Sequence, residues 1–185
     1  MPADAAPSPS AAVLRRVTAL VAAIAGLAAA PAGANDSVYT ELDLDRCRLI
    51  EFIEEGESVR WECRGHASVP LLVGSGDGRF DIDAGVENEE WETLSPFNNP
   101  GPRVEWRMDG AVPIAIIFRL VSAVPEHREA ALFVETIGRA GAPGCTIGVV
   151  NAARADANLR AREIADRRAA AFRCGIDPAE RLAAD

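Results

Sequence analysis

The chain has 185 residues, with 28 acidic side chains against 19 basic ones, for a formal net charge of -9. Every basic side chain is arginine and none forms a cluster free of acids, so such a surface repels phosphates and nucleic-acid binding is set aside. The length suits one domain with a real core, no internal repeat divides it, and an acidic face leaves cationic partners open.

Residues 1–34 read as a cleavable secretory signal peptide. Arg15 and Arg16 form the n-region, Val17 to Ala30 the apolar run, and Ala32-Gly33-Ala34 the small residues beside the cut. The run is 14 residues long, shorter than the roughly 20 that span a bilayer. An uncleaved anchor would have to recruit Pro31 and Gly33, both poor in a helix interior. No cysteine follows the run to carry a lipid. Cleavage after Ala34 removes Asp4, Arg15 and Arg16 and leaves residues 35–185 with 27 acids against 17 arginines, a charge of -10. The expected location is the periplasm or the extracellular space. No membrane attachment is expected once the signal is gone, because the longest remaining apolar run, Val112 to Leu120, is interrupted by Pro113 and Arg119 and reads as a strand.

Export makes four cysteines a disulfide set, with three possible connectivities. Cys47 to Cys63 holds two strand-like runs around Glu54-Glu55-Gly56, with Gly56 placed for the left-handed residue of a three-residue hairpin loop. In that register Ile53 faces Glu57, Glu51 faces Val59, Leu49 faces Trp61 and Cys47 faces Cys63. The two sulfurs then meet across the hairpin.

Farther along, Val69 to Val73 is apolar, Gly74-Ser-Gly-Asp-Gly78 reads as a turn, and Arg79-Phe-Asp-Ile-Asp83 alternates with Phe80 and Ile82 facing the core. Glu90 to Leu94 is a further short strand, and Pro96 to Pro102 a loop. Val104 to Met108 alternates, Asp109-Gly110 signals a hairpin, and the largely apolar character of Val112 to Val121, without alternation, predicts a central strand covered on both sides. Ala130 to Ile137 is one more.

Thr146 to Val150 reads as a strand and Ala155 to Phe172 as a helix, with Ala157, Ala161, Ile164, Ala165, Arg168 and Phe172 on one side. Asp156 with Arg160 and Glu163 with Arg167 are acid-first i,i+4 pairs. A six-residue strand advances ~20 Å and an 18-residue helix returns ~27 Å, which brings Cys174 back to Cys145. Gly175 is placed as the helix C-cap. Each bridge closes a loop worth about 3 to 4 kcal/mol in the chain-entropy view. Neither pair has zinc-ligand spacing. The whole predicts an α+β domain: a mostly antiparallel sheet or partly closed barrel of about eight strands, one C-terminal helix packed on it, and two disulfides.

Chemistry-bearing motifs are few. His66 and His127 fall in turn-like segments outside any nucleophile motif, and Ser75 lacks the Gly-x-Ser-x-Gly frame. Asp77, Asp81 and Asp83 could offer oxygens to calcium, but their spacing matches no calcium loop, so no metal, cofactor or catalytic residue is assigned. Of Trp61, Trp91 and Trp106, only Trp91 has acids on both sides and a long loop beside it, which marks it for exposure. Ser75-Gly-Asp-Gly-Arg79-Phe80 resembles a strand segment of small periplasmic lysozyme inhibitors, disulfide-bearing β-proteins that insert a loop into the lysozyme cleft. Across six residues the resemblance implies roles for Ser75 and Arg79 and a cationic lysozyme as partner. The function expected is therefore non-enzymatic binding or support of an envelope protein or glycan, through a loop formed by Ser75, Asp77, Arg79 and Trp91. Lysozyme inhibition is one alternative, and a hydrolase with an unrecognised site is another.

Overall fold

The computed structural model describes Met1, residues 36–54 and residues 57–185. The expected signal peptide and Gly56 lie outside the described residues. Eleven strands among these make two sheets. The larger has the order β1 (Asp36–Glu41), β7 (Arg103–Asp109), β8 (Val112–Ser122), β9 (Ala130–Thr136), β10 (Thr146–Asn151) and β11 (Glu180–Leu182), with β6 (Asn98–Pro100) paired to the far end of β8. The smaller has the order β2 (Arg48–Ile53), β3 (Ser58–His66), β4 (Val69–Gly76) and β5 (Arg79–Ala84). Neither closes into a barrel, and every pairing is antiparallel except β10 with β11. Helix α1 spans Ala157–Arg168.

The layers run small sheet, large sheet, helix. Alternation along β7, β8 and β9 sends Trp106, Phe118 and Phe133 to the core between the sheets, while Ala115, Ile117, Leu132 and Val134 pack with Ala161, Ile164 and Ala165 of α1. Phe118 and Phe133 oppose each other across β8 and β9 and stack at 5.4 Å between ring centroids. Apolar cover on both faces is why Ala115 to Phe118 of β8 are apolar at every position.

Both disulfides pair as the spacing predicts, Cys47 with Cys63 and Cys145 with Cys174. The Cα atoms of the first pair are 4.5 Å apart, the separation of a directly opposed, non-hydrogen-bonded pair. Leu49 faces Trp61 as expected, but a bulge at Ile50 then shifts the register, so Glu51 faces Arg60 and Ile53 faces Ser58. One extra residue on β2 lengthens the connection, and Glu57, with φ 45°, takes a left-handed conformation near its end. All six residues of β2 are exposed.

Other expectations need correction. Glu90 to Leu94 is not a strand, since the chain there folds back over β4 and β5. The loop Pro96 to Pro102 contains β6, and β1 and β11 have no counterpart in the predicted elements. Helix α1 is shorter than Ala155 to Phe172, and Gly175, with φ 74°, belongs to a turn beyond it instead of capping it. Arg168 ends the helix by donating to the carbonyls of Ile147 at 2.9 Å and Pro178 at 2.7 Å, which leads the chain into β11. Asp156 pairs with Arg160 as expected, whereas Glu163 pairs with Arg160 and Arg167 reaches Glu180.

Candidate functional site

The β4–β5 hairpin carries the residues singled out in the sequence. Its turn is tighter than the five residues Gly74 to Gly78, because β4 continues to Gly76 and only Asp77 and Gly78 connect the strands. Both have positive φ, 50° and 67°, the pair of left-handed residues that matches the twist of a two-residue hairpin. Asp77 stands exposed at the tip and accepts from Arg79 Nη2 at 2.6 Å. Arg79 Nε is buried without a hydrogen-bond partner.

Two aromatic rings flank this tip. On the outer face of the hairpin Trp91 lies over Gly74, where a Cβ would come within 2.9 Å of the indole, and extends to Gly76, where a Cβ would stand 3.9 Å from it. On the other flank Phe97 lies against Gly78, where a Cβ would stand 3.1 Å from the ring. Glycine at 74 leaves the indole room to seat, glycine at 78 answers chiefly to its positive φ, and the two rings remain about half exposed, Trp91 at 49% and Phe97 at 53%. Phe97, Arg79 and Asp77 line an open groove of about 610 Å³ with Val124, His127 and Glu129. Asp77, Arg79 and Trp91 therefore share one end of the molecule. Ser75 does not join them, since alternation puts it with Val59 and Phe80 on the face turned towards the large sheet. Trp106 is buried and Trp61 half-buried against Phe80.

Phe97 has no part in the sequence-based expectation, and His127, weighed there only as a candidate base, lines the same groove. An aromatic residue inside the Pro-Gly-Asn-rich segment Pro96 to Pro102 was the available signal. Asn98 makes that segment rigid: its Nδ2 donates to Thr93 Oγ1 and to the carbonyls of Leu94 and Pro96, and its Oδ1 accepts from the Phe80 amide at 3.2 Å.

Beneath the segment that carries Trp91 lies a buried acid cluster. Phe80 and Ile82 point inward as predicted, which sends Asp81 and Asp83 to the outer face, yet loop 85–97 covers them and leaves 6% and 4% of their surface exposed. Burial, and then the charge of Asp83, push Asp81 up to about 7. Burial likewise raises Asp83 to about 6, against hydrogen bonds from Glu135 and Asn88 and the charge of Arg60. Glu135 of β9, 1% exposed, is raised well above its ordinary value by burial and by Asp83 and Asp81. A protonated Glu135 donates to Asp83, which also accepts from Asn88 Nδ2 at 2.6 Å. Glu135 Oε1 and Thr146 Oγ1, opposed across β9 and β10, are buried without partners.

Among the described residues neither histidine ring hydrogen-bonds to a carboxylate, and no three His, Cys, Asp or Glu side chains are grouped to hold a metal ion. Asp77 turns to Arg79 instead of joining Asp81 and Asp83. His66 borders a separate hollow beside the Cys47–Cys63 bridge, with its ring 6.1 Å from Trp106. No protein family, no curated protein and no solved structure matches the chain. Two disulfides point to an oxidising, exported environment, and no helix among the described residues is long and apolar enough to cross a membrane.

Proposed function

We propose that the protein is exported through the signal peptide 1–34 and acts in the periplasm or outside the cell as a non-enzymatic binding protein. Its working surface is the β4–β5 tip, which engages a protein or glycan of the cell envelope. One observation carries this reading: Trp91 and Phe97, seated on Gly74 and Gly78, hold two half-exposed rings around the Asp77–Arg79 pair. Rigid aromatic rings on a surface lose little conformational freedom on binding and offer large apolar area, so they anchor both sugar rings and protein partners.

Lysozyme inhibition is the second reading: Arg79, one of the two residues that the six-residue resemblance singles out, stands at the free end of the hairpin beside Asp77, whereas the other, Ser75, faces the large sheet. Both are tested by following tryptophan emission while the exported protein is titrated with soluble peptidoglycan fragments or with a cationic lysozyme, together with a turbidity assay of lysozyme on cell walls. A saturable change that disappears in the Trp91→Ala, Phe97→Ala double variant supports the tip as the binding surface. Slowed clearing of cell walls at micromolar protein assigns the partner as lysozyme. Silence towards both probes overturns the reading.

A further inference from the structure

A second concave site, independent of the tip, lies on the helix-bearing face of the large sheet. Register places Glu41 beside Arg103, and Arg119 beside Leu132; the pairing of Glu105 with Ile117, extended two residues along each strand, sets Arg103 opposite Arg119. The next row along is Tyr39, Glu105 and Ile117. Helix α1 covers β10 and β9 and leaves these rows open beside its first turn. The result is a depression of about 230 Å³ whose floor is Ile117 and Leu132 and whose walls include Arg103, Arg119, Tyr39 and Asn158.

The charges in this depression do not balance. Glu105 is engaged by Ser37 and by Arg162, whose Nε lies 2.6 Å from its Oε1, and Arg162 also donates to Tyr39 at 2.8 Å. Arg107, one row away, is held by Asp166. Glu41, the acid nearest Arg103 by register, turns to Arg46 at 3.8 Å. Among the described residues this leaves Arg103 and Arg119 without an acid partner, on facing positions of adjacent strands where like charges oppose folding. The first turn of α1 contributes Asn158 to the depression, while the Asp156 carboxylate before it is taken up by Arg154 and Arg160. Two guanidinium forks, a phenol and an amide above an apolar floor form a receptor for a compact anion with several oxygens.

We propose that this depression binds a phosphate monoester on a small organic body, with the phosphoryl oxygens between Arg103 and Arg119 and the apolar part on Ile117 and Leu132. The surplus of acid elsewhere excludes long polyanions, so the site takes a single small ligand. It does not depend on the binding role given to the tip.

The test is an amide NMR titration of the exported protein with phenyl phosphate, with inorganic phosphate, and with phosphatidylglycerol vesicles as the lipid-borne source of the same chemistry. Phenyl phosphate is expected to give saturable shifts at Tyr39, Arg119, Leu132 and Asn158, and inorganic phosphate a weaker form of the same pattern. Arg103→Gln and Arg119→Gln should each raise Kd about tenfold, the loss of one charge-assisted contact, while Arg139→Gln leaves it unchanged. Unaltered spectra of the unliganded variants establish that both fold. Absence of saturable shifts, shifts that survive both substitutions, or binding to vesicles alone would each overturn the proposal.

Discussion

Gly74 shows how much one absent methyl group can position. On an outer sheet face a β-branched residue would be favoured by propensity, but at 74 a Cβ would stand 2.9 Å from the Trp91 indole. Gly74→Val is therefore expected to leave the hairpin formed, at a stability cost of about 1 kcal/mol, while lifting the indole off the sheet. Acrylamide quenching of tryptophan emission measures this directly: the accessible fraction should rise, and any response to a ligand of the tip should weaken. Unchanged quenching would mean that the ring does not rest there. In the sequence the glycines of Gly74-Ser-Gly-Asp-Gly78 read as turn formers. Only Gly78 has that role, because the ring that needs Gly74 arrives from a loop that hydrophobic periodicity does not describe.

At the scale of elements, the parts of the fold legible in the sequence are those fixed by local geometry. The Cys47–Cys63 hairpin, the Asp109-Gly110 turn and the apolar stripe of α1 depend on neighbours within about 30 residues or fewer. The β2 bulge escaped because alternation alone does not mark where an extra residue is inserted. Strands β1, β6 and β11 escaped for a different reason: β6 and β11 are three residues long, and β1 pairs with β7, more than sixty residues away. The docking of α1 also hides from sequence. Arg107 of β7 is 5% exposed and makes two hydrogen bonds to Asp166 of α1, at 2.9 and 2.6 Å. Ser37 and Glu105 also reach Arg107, so removing the acid takes two charge-assisted hydrogen bonds from a buried guanidinium without isolating it, and Asp166→Ala should cost about 2 kcal/mol. The double replacement Arg107→Met, Asp166→Leu should recover most of that loss, because it removes both charges together. Urea midpoints of the three proteins decide it; additive losses would show that the pair does not act as a unit.

For the whole molecule, the acid cluster under loop 85–97 sets how stability follows pH. Asp81 and Asp83 titrate near 7 and 6 in the folded chain, above the ordinary value of 3.8 for both, and Glu135 is raised as well. In the window between the unfolded and folded values the native state binds more protons than the unfolded one, so stability falls as pH rises. The contribution is fully present below about pH 4 and is lost progressively until about pH 7, opposite to a carboxylate held by a salt bridge. Between pH 5 and pH 8 the expected loss is about 2 to 4 kcal/mol, read as a lower urea midpoint at the higher pH. The net charge of the whole chain acts in the same direction through self-repulsion, so a neutral substitution within the cluster is needed to separate the two. Asp81→Asn keeps the shape and removes one charge of many. It should flatten the slope by about one proton between pH 5 and 7 and raise stability at pH 8. A slope unchanged by Asp81→Asn would assign the pH dependence to the surface. The cluster also underlies the tip, since Asn88, which donates to Asp83, and Trp91 belong to the same loop. Ionisation that loosens this loop should therefore raise acrylamide access to Trp91 over the same pH range.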